Sequence, residues 1–427
     1  MTGHLYFDLT EVLLSTSGKR TQYYGIARTA HEIGREAALL SEDISFVVFS
    51  FGMQQFYEVA WHKRQDGSVE FDLPKDVDQK WVRSYFGKNL ILPIIFRLLN
   101  RATPRKNRDN WLKHAGHLKP VAIKSGTFFS AARPKLIVDM VRVLHERGSK
   151  AAIVPLLHDF MPLHDRVTKR FRKHDRNFLA DNRYLIEHAN RILTNSNFTA
   201  KELEIFVEKG MLPVPHGPVN VVQLVHHCPD GIAEPEISVP SQPYLLTVAL
   251  NLGRKNIEVV LEALRQLHAN GKPVPQLVIA GSHRKRLRRY ALRPAFRAIQ
   301  DKIVFIDNPN QTDLVKLYKG ALALVMPSKL EGWGLPAGEA LWCGTPAICS
   351  TAEALQEVCG ELGIYFEPAD AAHLASIIHQ LISDDEFRHD LQAKIIQSKP
   401  SLRTWRTVAC EFLNALNQNP PVPKELL

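Results

Sequence analysis

Two carboxylates, Glu331 and Glu339, bracket the segment Gly332-Trp333-Gly334-Leu335-Pro336-Ala337-Gly338. This pattern suits a ligand rich in hydroxyls and phosphate. A carboxylate accepts hydrogen bonds from hydroxyls, at ~1.5 to 3 kcal/mol each when the acceptor is charged. Gly332 and Gly334 lack side chains where backbone N–H groups can approach a phosphate or hydroxyl, next to a helix start that favours anions. The apolar stretch 321–326 before them reads as a strand, Pro336 suits a first helical turn, and Gly344 with Pro346 marks the helix end. Glu331 is thus expected in a loop at the carboxyl end of a strand, and Glu339 in the first turn of the following helix. Open α/β sheets bind ligands at that end. The bland alternative, an acid facing the helix dipole for ~0.3 to 1 kcal/mol, leaves both glycines unexplained.

Other chemical patterns are weaker. Gly18-Lys19-Arg20 lacks the earlier glycine and the following Ser/Thr of a phosphate loop, and no G-x-G-x-x-G opens a helix after a strand. Asp76-Val77-Asp78 has the form of a metal-binding D-x-D but sits in a polar stretch, so it reads as a solvated loop. His226, His227 and Cys228 are consecutive and lack a second ligand pair at zinc spacing, which favours a polar loop. No metal site is expected. The five cysteines are odd in number and show no C-x-x-C, so reduced, buried thiols are expected.

From residue 243 onward, strands and helices alternate. Strands are expected at 244–250, 276–280, 303–306, 321–326, 347–349 and 364–366. Between them fall helices at 256–269, 312–319, 336–343, 354–359 and 370–383, with a basic helix running to about residue 300. In the helix 256–269, Ile257, Val260, Leu261, Leu264 and Leu267 recur at spacings of three and four. This pattern predicts a parallel, doubly wound sheet. The first half carries similar pieces: strands 4–8, 44–49, 151–157 and 191–194, and helices 26–40 and 176–189. An insertion of weak periodicity lies at about 58–125. Four prolines between residues 229 and 243 suggest a linker. The expected division is 1–235, 236–400, and a helix and tail at 401–427 that returns to the first domain; two domains also suit a chain of 427 residues.

No apolar run approaches the length of a membrane span. The start MTGHLYFDLT lacks the basic and apolar regions of a secretory signal, so a cytoplasmic protein is expected. The net charge of +10 favours anionic partners. Its basic clusters at 97–119, 169–176 and 284–289 lack aromatic interleaving or a nucleic-acid motif, so nucleic acid has only charge in its favour.

The second half resembles the retaining glycosyltransferases of family 4, on the GT-B fold. The matching residues are Leu252-Gly253-Arg254-Lys255-Asn256-Ile257, Ile279-Ala280-Gly281, the Glu331 to Glu339 segment, Gly344-Thr345-Pro346-Ala347-Ile348, and the stretch 361–370. In the first half, Tyr24-Gly25-Ile26-Ala27-Arg28, Pro155-Leu156-Leu157-His158-Asp159, the stretch 189–196 and Pro215-His216-Gly217 agree more loosely. The resemblance implies two Rossmann-like domains facing each other across a cleft, and a hexose, with mannose as the candidate, moved from a GDP- or UDP-sugar to a glycan or lipid-linked glycan of a surface polysaccharide, without metal or other cofactor. It assigns Glu331 to hydroxyls of the donor sugar and Glu339 to the ribose. Lys255 and Arg254 would meet the diphosphate, and Gly25 would let backbone approach it. His158 would reach the donor sugar, and Gly332, Trp333, Gly334 and Leu335 would line the donor site. Where the family often has a second basic residue, this chain has Ala249, so Arg254 or backbone amides would substitute.

Two questions stay open. The apolar stretch 90–99 followed by Arg101, Arg105, Lys106 and Arg108 fits either an interfacial segment on anionic lipid or a core helix. On the same fold, a sugar-nucleotide epimerase would need no acceptor and a phosphorylase would need a pyridoxal-phosphate lysine, for which no context is apparent. The base, the sugar, the linkage and the acceptor are not legible.

Overall fold

The computed structural model describes residues 3–16, 25–87, 89, 91–164, 173–229, 237–240, 242–248, 253–281 and 285–417. Tyr24, Ala249, Leu252, Gly18-Lys19-Arg20, most of the proline-rich stretch and the first half of the 169–176 basic cluster lie outside them. The chain divides into two compact units. Among the described residues, one comprises 3–164, 173–223 and 405–417, the other those from 224 to 404.

Among the described residues, the first unit holds ten strands: β1 (Leu5–Asp8), β2 (Ile44–Ser50), β3 (Gln55–Val59), β4 (Trp61–Lys63), β5 (Val69–Phe71), β6 (Pro120–Val121), β7 (Thr127–Ser130), β8 (Ala152–Leu157), β9 (Ile192–Thr194) and β10 (Val219–Val221). Eight form one sheet in the order β10-β9-β8-β7-β1-β2-β3-β6, while β4 and β5 make a separate hairpin. From β2 to β10 across β1 the strands are parallel; β3 and β6 add antiparallel at one edge. Side chains of β2 alternate as the pleat requires. Val47 and Phe49 join Phe128, Ile137 and Met140 in one core cluster, whereas Phe46 packs at a tilt against Phe7. The helix Trp405–Asn417 returns to this unit and sets Phe412 against Phe129, with ring centroids 4.4 Å apart. Full burial of such a ring stabilises by ~1.5 to 3 kcal/mol.

The second unit contains β11 (Tyr244–Val248), β12 (Gln276–Gly281), β13 (Ile303–Asp307), β14 (Ala323–Met326), β15 (Ala347–Ser350) and β16 (Gly363–Phe366). They form one sheet in the order β13-β12-β11-β14-β15-β16, parallel throughout. The helices Ile257–Ala269 and Ala371–Ser383 share a core with it through Val260, Leu264, Leu374 and Ile378. The expected doubly wound sheet is present. The expected basic helix breaks into an α-helix at Lys285–Ala291 and a 3-10 stretch at Pro294–Lys302, because Pro294 cannot donate to a continuing helix.

Other elements escaped the sequence reading: β7 and the helices Thr10–Thr16, Pro134–Glu146, Asn197–Glu208 and Asp385–Ser398. The insertion also holds ordered structure, including β5 and the helices Ile91–Leu99 and Ala102–Ala115.

Candidate active site

In the second sheet the chain starts at β11, runs outward through β12 and β13, then returns to β14 on the other side of β11. Where such a winding reverses, the loops after the two central strands diverge and leave a crevice at their carboxyl ends. Gly253-Arg254-Lys255 follows β11, and 327–334 follows β14. These loops supply the observed charge cluster. Glu331 is buried. Its Oε1 accepts from Lys255 Nζ at 2.7 Å, and its Oε2 lies 2.8 Å from the Arg254 guanidinium. Burial pushes the Glu331 carboxyl up, but the Lys255 and Arg254 charges outweigh it and hold the group down at about 2.

The cations are themselves fixed. Arg254 donates to Leu330 O at 2.8 Å, and Arg254 O accepts from Lys329 N–H at 2.9 Å. Asn256, left-handed at φ 52°, ends the loop and starts the helix Ile257–Ala269; its Nδ2 donates to Pro368 O at 2.7 Å, in the turn after β16. Sequence reading missed this role of Asn256. Its signal was available, since asparagine is the non-glycine residue that best tolerates the left-handed region.

Glu339 is also buried, but it is the fifth residue of the helix Leu335–Trp342 and therefore lies beyond the first turn, where it had been expected. The helix begins one residue before Pro336, which sets the acid one position further along it. Glu339 Oε2 accepts from the Tyr318 hydroxyl at 2.8 Å, and Tyr318 O accepts from Thr345 Oγ1 at 2.6 Å. Thr345 belongs to the Gly344-Thr345-Pro346 segment that the resemblance singled out. Tyr318 was not foreseen, because it lies on a separate helix, Gln311–Gly320.

The glycine loop is more structural than expected. Gly334 has φ 122°, and a Cβ there would stand 2.5 Å from Leu355 Cδ2, so the missing side chain makes room for packing. Trp333 is buried, with its indole N–H donating to Val225 O at 3.1 Å. Only its backbone is left to meet a ligand. Among the described residues, the Gly334 and Leu335 N–H groups at the helix start have no protein acceptor. Gly332 is buried beside Glu331. His226 has a structural use: Nε2–H donates to Val358 O at 2.7 Å and Nδ1 accepts from Arg403 N–H at 3.1 Å. Burial lowers its pKa, consistent with a neutral ring. Among the described residues, no group of three or more His, Cys, Asp or Glu is placed to hold a metal. Cys228, Cys349 and Cys359 are buried and in no disulfide, but Cys343 is half-buried and Cys410 is exposed at the surface of its helix, against expectation.

His158 and Gly25 belong to the first unit. His158 follows β8, and its Nε2–H donates to Ala131 O at 2.8 Å. Burial depresses its pKa, so the ring is neutral and Nδ1 is left as an acceptor, suited to a hydroxyl. Gly25 precedes the helix Ile26–Leu40 with φ 55°, and nothing lies within 4 Å of where a Cβ would stand. Ile26 and His158 line the same cavity. The reversal of this sheet falls between β1 and β7, whose last residues, Asp8 and Ser130, are paired. Asp8 is buried and accepts from Ser130 Oγ at 2.6 Å and Thr10 N–H at 2.9 Å, with the Thr10 hydroxyl also bonded. Burial pushes its carboxyl up to about 6.

Residues 233–398 match the family described as glycosyl transferases group 1. The O-antigen chain mannosyltransferase B of Escherichia coli is 30% identical over 189 residues, 41% of this chain and 45% of that protein. The chain therefore aligns with less than half the length of this curated relative. Among solved structures, sucrose-phosphate synthase from Thermosynechococcus elongatus is similar with a TM-score of 0.64 at 16% identity, over 97% of this chain and 98% of its own. Anabaena Alr3699/HepE in complex with UDP and glucose reaches a TM-score of 0.58 at 12% identity, over 97% and 99%. Residues 233–398 are thus similar to the group 1 glycosyl transferases, and the chain has the GT-B fold.

Proposed function

We propose that this protein transfers a hexose, mannose in the first instance, from a nucleotide-sugar to a glycan or lipid-linked glycan acceptor during surface polysaccharide synthesis, with retention and without a metal. The observation carrying this reading is the buried Glu331 held between Arg254 and Lys255 at the strand reversal of the second sheet. These two cations suit a diphosphate whose negative charge grows as the glycosidic bond breaks, which is electrostatic stabilisation of a leaving group. When phosphate draws on them, Glu331 is released toward hydroxyls of the sugar. Glu339, steadied by Tyr318, is the group for the ribose, and the acceptor-only Nδ1 of His158 suits a sugar hydroxyl. The mannosyltransferase relative supports GDP-mannose as donor, while the UDP of the HepE complex keeps UDP-sugars as the second choice.

Thermal-shift titration with GDP, UDP and ADP, followed by transfer assays with and without acceptor and with EDTA, tests the reading. Stabilisation by GDP and EDTA-resistant, acceptor-dependent release of GDP from GDP-mannose are expected. Conversion of the sugar nucleotide without acceptor would point to an epimerase, and loss of activity in EDTA would overturn metal independence.

The cytoplasmic reading extends to the inner membrane face. No helix among the described residues is long and apolar enough to cross a membrane. The helix Ile91–Leu99 nonetheless has no buried residue: Ile91, Ile94, Ile95, Leu98 and Leu99 are all exposed. The next helix, Ala102–Ala115, carries Arg105, Lys106 and Arg108. Apolar side chains entering lipid beside cations, each worth ~1 kcal/mol on an anionic surface, account for both features. Flotation with anionic vesicles should recover the wild type and lose Leu98→Glu; no binding at moderate salt would remove the membrane from the proposal.

A further inference from the structure

The first unit holds a cavity of about 400 Å³ lined by Trp81, Arg83, Arg133, Lys135, His158 and Asp159, among others. That is the lower range of small-molecule sites. Three cations reach it from two separate parts of the chain. Arg83, from the insertion, makes a two-pronged pair with Asp181, both bonds 2.7 Å. Arg133 is held by Glu11 at 2.8 Å. These buried or half-buried acids fix the two guanidinium groups in place.

Lys135 differs. Its ammonium lies 4.4 Å from the centre of the Trp81 ring, and among the described residues no carboxylate is within ion-pairing distance of it. Burial and the Arg133 charge disfavour its charged form, and outweigh the more distant Glu11 and Asp181 carboxylates. It also stands in the first turn of the helix Pro134–Glu146, whose positive end repels a cation. Asp159 on the cavity wall already accepts Met161 N–H at 3.0 Å. The indole that carries Lys135 is itself anchored, its N–H donating to Asp139 at 2.8 Å. A cation kept where burial, a neighbour and a helix end all oppose it points to a ligand that compensates it.

We infer that this cavity binds a phosphorylated sugar of the acceptor, its phosphate gripped by Lys135 and Arg133. This rests on the transferase reading and adds an anionic acceptor to it. The insertion supplies Trp81 and Arg83, so this specificity is carried by residues outside the segment that matches the family.

Calorimetric or NMR titration of the full chain with mannose 1-phosphate, mannose, inorganic phosphate and GDP tests the inference. Mannose 1-phosphate should bind at least about tenfold more tightly than mannose or inorganic phosphate, since a charged hydrogen-bonded contact carries that much. Lys135→Met should remove this preference and leave GDP binding unchanged; Lys135→Arg, which keeps the charge, should retain it and controls for folding. Equal binding of mannose and mannose 1-phosphate, no binding of either, or an unchanged Lys135→Met would overturn the inference. A parallel loss of GDP affinity would give Lys135 to the donor diphosphate and overturn it too. GDP failing to bind the wild type would instead count against GDP-mannose as the donor, because the sugar-phosphate titration is read independently.

Discussion

Both sheets place a buried carboxyl where their winding reverses, yet the two groups live in opposite surroundings. Glu331 is gripped by an ammonium and a guanidinium and stays ionised down to about pH 2. Asp8 is bonded to two hydroxyls and an amide, with no cation among those partners, and holds its proton up to about pH 6. The topology is shared; the difference lies in the residues that follow the first strand of each half. Gly253-Arg254-Lys255 brings positive charge to one crevice, whereas Leu9-Thr10-Glu11 brings a hydroxyl and a second acid to the other. A strand reversal therefore supplies a place for ligands, and the loop charge decides whether a diphosphate can occupy it.

The sharpest way to break this contrast is Glu331→Gln. Transfer should fall at least about 100-fold, as for removal of one positioned group at a reaction centre, while GDP binds no more weakly, since both cations are freed for phosphate. Weaker GDP binding in that variant would make Glu331 a nucleotide ligand. Lys255→Met should weaken GDP about tenfold to a hundredfold, read by calorimetry, because a charged contact to phosphate is lost. An unchanged affinity would leave phosphate binding to Arg254 and the backbone amides.

Next in size is the pH response of stability. Asp8 has a folded value raised from 3.8 to about 6, so between those pH values the folded state binds more protons and stability falls as pH rises. Asp139, also raised to about 6, adds the same slope. Glu331 works in reverse: its contribution is present above 4.5 and is lost as pH falls toward 2. Asp8→Asn should remove roughly half of the decline in Tm between pH 4 and 6 and leave the acid limb unchanged; an unaltered profile would show that Asp8 titrates normally. The smallest effect belongs to Tyr318→Phe. Losing one hydrogen bond to Glu339, ~0.5 to 1.5 kcal/mol, should raise the Kd for GDP a few-fold; no change would free Glu339 from the ribose role.

The second unit was legible because its strands are short apolar runs closed by glycine or proline, and its helices carry apolar stripes at three and four. The helix Asp385–Ser398 escaped because only Ile395 among its residues is buried, so no stripe exists to read. The helix Pro134–Glu146 escaped for the opposite reason: with Leu136 to Val141 all buried, Asp139 included, its mostly apolar stretch is indistinguishable by period from a strand. At the site, Glu331, Arg254 and Lys255 meet in space as their motifs suggested. What the spacing hid was competition, since the acid and the cations proposed for different parts of one donor hold each other. Tyr318 and Asn256 act through tertiary contacts that no local pattern records.

The return of the helix Trp405–Asn417 has a consequence for synthesis. Phe412 closes a cluster with Phe7 and Phe129, residues made hundreds of positions earlier. As the ribosome delivers the chain, the first-begun unit waits with those rings uncovered while the later one can close on its own. The order of completion inverts the order of translation. A stop codon just before Trp405 would therefore strand the earlier unit rather than the later, leaving an aromatic face for chaperones or neighbouring chains to find.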